Sequence, residues 1–226
     1  MRLRLAAPVA IALLATAAPL AAQGGCVIAR IADASPAWFW QVSLENSSSD
    51  VLDVDLIYAQ DIALARYGAV RLNEFYVSQY VDHTSLSHPR QGHVVASRQN
   101  LPAGGRHPWC VIGSLRQGTS FATDAMQVHG LATRAGEPPI GIVRGLPGRR
   151  LQHEHSMVAI QDEAMHLSPG ERVSSGFFGW FNPDHPAATS SADLDAVNSA
   201  LALPEASLPE AELSVAQEDN VTATLF

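Results

Sequence analysis

Between Val51 and Ala59 the side chains alternate: Leu52, Val54, Leu56 and Tyr58 fall on one face of an extended chain, Asp53 and Asp55 on the other. A period of two marks a strand with one buried face. β-like runs recur at Trp38 to Glu45, Phe75 to Val81, His93 to Ser97, Trp109 to Leu115, Met157 to Gln161 and Val173 to Phe181. Between them lie turn-forming clusters: Asn46-Ser-Ser-Ser-Asp50, Pro102-Ala-Gly-Gly105, Gly145-Leu-Pro-Gly148 and Ser168-Pro-Gly-Glu171. Many strands at this spacing need two packed sheets to bury their inner faces, so the chain reads as all-β, a large antiparallel β-sandwich followed by a short helical linker.

The chain has 226 residues and a hydrophobic content of 47%, enough for a packed core in one or two domains. Its 14 prolines and 16 glycines are dispersed, which suits many turns. The sandwich is assigned to residues 24–186. After Pro186 the pattern changes: Ser190 and Ser191 are N-cap residues for a short helix with Leu194, Val197 and Leu201 along one side, ending before Pro204. Residues 187–226 are read as an acidic linker. From Val173 onward the chain has eight acidic side chains and no arginine or lysine, so the net charge of −8 belongs to this end. The balanced body lacks the clustered basic face that nucleic acid requires.

Residues 1–23 support two readings. Arg2 and Arg4 precede an uncharged run from Leu5 to Ala22, which has the three-part form of a secretory signal peptide and implies a secreted or periplasmic protein. Its prolines and modest length argue against a permanent membrane span. Alternatively Met1-Arg-Leu-Arg-Leu5 is the alternating end of a strand and Met1 a misassigned start in a cytoplasmic protein. Cys26 and Cys110 would pair only in an oxidising compartment; Cys110 lies in the apolar run Trp109-Cys-Val-Ile112, which favours a buried free thiol.

Two segments carry candidate binding groups. Asp82 and His83, with Tyr76 and Tyr80 upstream, present the stacking and hydrogen-bonding chemistry that a sugar requires; Arg98, Gln99 and Asn100 carry the same character. The structural alternative is a buried polar network that fixes the sandwich loops, each member with its own partner. His153 and His155 would share one side of an extended segment, a geometry that holds a metal only with a third ligand from elsewhere. There is no His-Glu-x-x-His motif, no Gly-x-Ser-x-Gly elbow and no phosphate loop with its lysine, so no metal site or catalytic residue is assigned. The aromatic runs Trp38-Phe-Trp40 and Phe177-Phe-Gly-Trp-Phe181 must alternate between faces, with part of each in the core and an exposed remainder suited to a neighbouring domain.

The stretch from Arg66 to Thr84, with Val94 to Asn100, His107 to Cys110, Ser120 to Asp124, His153 to His155 and Asn182 to Pro186, resembles a known family. It is similar to the β-sandwich region preceding the catalytic barrel in glycoside hydrolase family 94, in the branch of the 1,2-β-oligoglucan phosphorylases and cyclic β-1,2-glucan synthases. The resemblance runs from Ala37 to Leu194. It implies a β-glucan oligosaccharide or a downstream (α/α)6 barrel as partner, and a scaffolding role that includes subunit contact in a homo-oligomer or loops at the glucan site. In the phosphorylases an aspartic acid protonates the leaving oxygen while inorganic phosphate attacks the anomeric carbon. Those groups lie mainly in the barrel, which the sequence lacks, so the resemblance implies no turnover by this chain alone and no cofactor, with phosphate a co-substrate only of a full-length phosphorylase. The alternatives are a secreted carbohydrate-binding module that works alone and a metal-dependent enzyme built on the histidines.

Overall fold

The computed structural model describes residues 9–15, 25–152 and 155–208. Within them lie the strands β1 Val9–Ala15, β2 Gly25–Ile31, β3 Ala37–Glu45, β4 Leu52–Asp61, β5 Val81–His88, β6 Gly92–Gln99, β7 Trp109–Ser114, β8 Gly118–Asp124, β9 Ser156–Asp162, β10 Met165–Leu167 and β11 Arg172–Asn182. The helices are α1 Tyr67–Ser78, α2 Ala125–His129, α3 Ile140–Arg144 and α4 Leu194–Leu201.

The strands form two layers. One has the order β1-β4-β9-β8, with β10 beside β4 where β9 ends; the other has the order β5-β6-β7-β11-β3-β2. Pairing within each layer is antiparallel, and a single parallel bridge between Gly92 and Gly118 joins the two. The expected antiparallel sandwich is therefore the observed fold. Val9–Ala15, from the apolar run with two readings, pairs with β4. Residues 1–8 and 16–24, which carry the rest of both readings, lie outside the described residues.

The main core fills the space between the layers. Val54, Leu56 and Tyr58 of β4 meet Val42, Val95, Ile112 and Phe177 of the opposite layer, and the Tyr58 and Phe177 rings stack at 5.3 Å. Full burial of each large side chain contributes on the order of 2 kcal/mol. The aromatic runs alternate as their sequence requires: Trp38 and Phe177 point into this core, Phe39 and Phe178 to the outer face. Gly179 has a specific function here, because a Cβ at that position would lie 2.1 Å from the Trp38 ring in the neighbouring strand.

Two polar groups cross the core at opposite ends of β9. At one end His83 of β5 sits between the hydroxyls of Ser97 (2.8 Å from Nδ1) and Ser156 (2.8 Å from Nε2). At the other, Asp162 accepts hydrogen bonds from Ser114 Oγ at 2.7 Å and from Ser175 Oγ. Glu163, just past the end of β9, pairs with Arg116 at 2.8 Å.

Both outer faces are covered from within the chain. α4 lies over the second layer, with Val197 and Ala200 packed against Phe39, Trp109, Val111 and Phe178. Its entry is fixed by a capping box between Ser190 and Asp193, and Gln41 donates to the carbonyls of Glu205 and Ser207 at 3.0 and 2.8 Å. The outer aromatic residues are therefore occupied by α4, where the sequence left a remainder for another domain. Val128 of α2 and Leu146 of the loop after α3 cover the first layer over Ile57 and Ala59.

One expected strand is a helix. Phe75 to Ser78 belong to α1, and the strand begins only at Val81. α1 breaks at Asn73 (φ −161°, ψ 86°), whose side chain accepts a hydrogen bond from the Tyr76 N–H at 3.0 Å. Asn73 thus acts as the N-cap of a second short turn.

Candidate functional site

The end of the sandwich beneath α1 gathers the candidate binding residues. Only Val77 and Ser78 of α1 are buried; Leu72 is 89% and Tyr67 66% exposed. Helices of this length draw most of their stability from a packed face, and α1 offers little of one. Tyr76 (48% exposed) and Tyr80 (36%) meet edge to face with ring centroids 5.2 Å apart and hydroxyls 3.4 Å apart. That hydroxyl contact raises the Tyr80 pKa, with the Tyr76 charge adding to it.

A polar belt lies beside the tyrosine pair. Asp82 accepts from Arg150 at 3.0 Å, Arg150 also reaches Gln152 at 3.4 Å, and Gln152 donates to the Gln79 carbonyl at 3.4 Å. Asn100 donates its backbone N–H to the Tyr80 carbonyl at 2.9 Å, and its side chain accepts from Arg98. Tyr76, Tyr80, Asp82 and Asn100 therefore share one accessible edge that combines aromatic faces, a carboxylate and an amide.

The remaining candidates are internal. Arg98 is buried and donates to the carbonyls of His185 (2.7 Å) and Pro186 (2.9 Å), fastening the segment that leads to α4. Gln99 is buried, donates to the carbonyls of Ala63 (2.8 Å) and Val77 (3.1 Å), and accepts from Leu101 N at 2.9 Å. His83 is 1% exposed, and its pKa is lowered to about 4, first by burial and second by the Arg150 charge. These three groups are satisfied by protein partners and fix the loops around the edge. Arg150, Gln152 and Gln79 were missed from sequence because Arg150 meets Asp82 across 68 residues and no local pattern links them.

His155 stacks edge-on against Phe75 at 4.8 Å, while His153 and Glu154 lie outside the described residues. Among the described residues no group of three or more His, Cys, Asp or Glu is arranged to hold a metal ion, and no helix is long and apolar enough to cross a membrane. Cys110 is a free buried thiol, its pKa pushed up to about 12 by burial.

Comparison with known proteins places this architecture. The chain is 32% identical over 153 residues to a 1,2-β-oligoglucan phosphorylase of Listeria innocua serovar 6a. That match takes in 67% of this chain and spans only 13% of the relative's length. A polysaccharide lyase structure superposes on 77% of this chain and 21% of its own, with a TM-score of 0.45 and 10% identity. The SOGP N-terminal domain model matches residues 24–179, ending within β11. With well over half of its length matched, the chain belongs to the SOGP N-terminal domain family.

Proposed function

We propose that this chain is the non-catalytic β-sandwich portion of a β-1,2-glucan-active protein, and that the Tyr76–Tyr80 edge is its glucan contact. The observation that carries this reading is the accessible edge itself, where aromatic rings, Asp82 and Asn100 stand together. Aromatic faces take up the C–H surface of a pyranose while the flanking carboxylate and amide read its hydroxyls. The kinship with a phosphorylase supports glucan as the sugar. Reaction chemistry, with inorganic phosphate as co-substrate, is assigned to a catalytic barrel outside this sequence.

Calorimetric titration of the folded chain with β-1,2-glucooligosaccharides tests the proposal. Saturable binding that weakens about tenfold or more in a Tyr76→Ala/Tyr80→Ala variant is expected. Absence of heat from a folded sample would leave the sandwich as a scaffold for the barrel. A module that functions alone is favoured by one observation, the partial covering of both outer faces by the chain's own helices and loops. A monomer that binds glucan without any added domain would support it.

A further inference from the structure

The outer face of the first layer carries a cavity that the glucan reading does not use. It has a volume of about 440 Å³ and lies between α2, α3 and the loop that follows α3. Its walls are apolar, formed by Met126, Ile140, Leu146, Pro147 and Leu151. Met126 and Ile140 remain 39% and 38% exposed, so the cavity opens to solvent.

The loop is tied down on its inner side. Leu146 N donates to Gln161 Oε1 at 2.8 Å and its carbonyl accepts from Ser120 Oγ at 2.7 Å. The Arg149 carbonyl accepts from Gln127 Nε2 at 2.7 Å, and the Leu151 carbonyl from Thr123 Oγ1 at 2.6 Å. Gln127 Oε1 is taken by Thr123 N at 2.9 Å. α3 is held against α2 at Gly141, where a Cβ would come within 3.1 Å of the Val128 backbone. The polar groups of these walls are thus engaged with one another.

Two charges are the exception. Arg144 and Arg149 both line the cavity and are exposed, and among the described residues neither guanidinium has an ion pair or a hydrogen bond. Unpaired guanidinium donors beside an apolar wall select an anion with an apolar body, because the fork matches a carboxylate and the wall rewards desolvation of a tail. A neutral glucan offers neither. At roughly 30 Å³ per water-sized group, the cavity has room for on the order of fifteen heavy atoms.

We propose that this cavity is a binding site for a small apolar carboxylate, held through its anion by Arg144 and Arg149 and through its tail by Met126, Ile140 and Leu151. The test titrates the full 226-residue chain with decanoate and, separately, with decanol. Saturable decanoate binding is expected, with decanol about tenfold weaker. Arg144→Ala/Arg149→Ala should reduce decanoate to the level of decanol with no change in melting temperature, and Met126→Trp should weaken both ligands by filling the cavity. Equal affinity for the two probes, an unchanged decanoate affinity in the double-arginine variant, or no decanoate binding by a folded wild-type sample would each overturn the proposal. So would direct binding of a peptide of residues 209–226 that the double-arginine variant loses while decanoate fails to bind, which would make the cavity a dock for acidic chain.

Discussion

β9 is fastened to the facing layer at both ends, but by opposite chemistry. At the Ser156 end the crossing group is His83, a base held neutral; at the other it is Asp162, an acid whose pKa is raised by burial against the lowering effect of Ser175 and Ser114. Neutral imidazole donates from one ring nitrogen and accepts at the other, and the hydroxyls of Ser97 and Ser156 rotate to complement it. The outer surroundings differ too. The Asp162 end is closed by the Arg116–Glu163 ion pair, whereas the His83 end lies beneath bare α1 and the tyrosine edge. A polar fastening therefore does not require a closed surface; one end of the sandwich is kept rigid while its exterior stays free for contact.

The largest expected effect comes from removing either fastening. His83→Ala and Asp162→Ala each leave two buried hydroxyls without their partner, and each should lower stability by about 3 kcal/mol in urea unfolding. If one variant were neutral, the two ends would not be equivalent supports. Acid titration separates them next. The folded pKa of His83 lies below its unfolded value, so its contribution is complete above pH 6.5 and is lost as pH falls toward about 4, with a loss of up to about 3 kcal/mol. Asp162 has the reverse sign: with its folded pKa above 3.8, its contribution is present at lower pH and is lost as pH rises through the folded value. Comparing each alanine variant with the parent from pH 4 to 7 should flatten the curve in opposite directions.

Smaller effects sharpen the contrast at the His83 end. Arg150→Ala breaks a half-exposed ion pair with Asp82 and should cost under about 1 kcal/mol. It should also raise the His83 pKa, read from its imidazole resonances by NMR, since Arg150 charge helps to lower it. An unmoved His83 would disconnect the exposed edge from the fastening below it. The smallest change in stability is expected for Tyr76→Ala/Tyr80→Ala, within about 0.5 kcal/mol because both rings are exposed. Glucan affinity, not melting temperature, is where that variant should differ.

How far the sequence disclosed this fold depended on which faces are covered. β3, β4 and β11 are legible because Trp38, Leu56 and Phe177 feed the central core at every second residue. β5 and β8 were missed, since Thr84, Ser85 and Ser87, or Thr119 and Ser120, interrupt any apolar alternation. α1 was misread as strand from Phe75 onward because no face of it is buried to impose a helical period, and Asn73 divides it into two short turns. At the candidate edge, the proximity of Tyr76 and Tyr80 follows from their four-residue spacing in chain that turns. The Arg150–Asp82 contact joins segments that meet only after the layers pack. The internal roles of Arg98 and Gln99 rest on backbone carbonyls, which have no signature in sequence.

Cys110 gives the molecule a built-in stopwatch. Its sulfur lies between the layers, opposite Ser97 in the β6–β7 pairing, and therefore beside the His83 fastening rather than the Asp162 one. Burial pushes its pKa up to about 12, so the closed molecule presents almost no thiolate to disulfide reagents at neutral pH. In a Cys26→Ser chain, with reagent concentrated enough to capture each opening before it recloses, the rate at which Cys110 is modified would time how often the two layers part at that end.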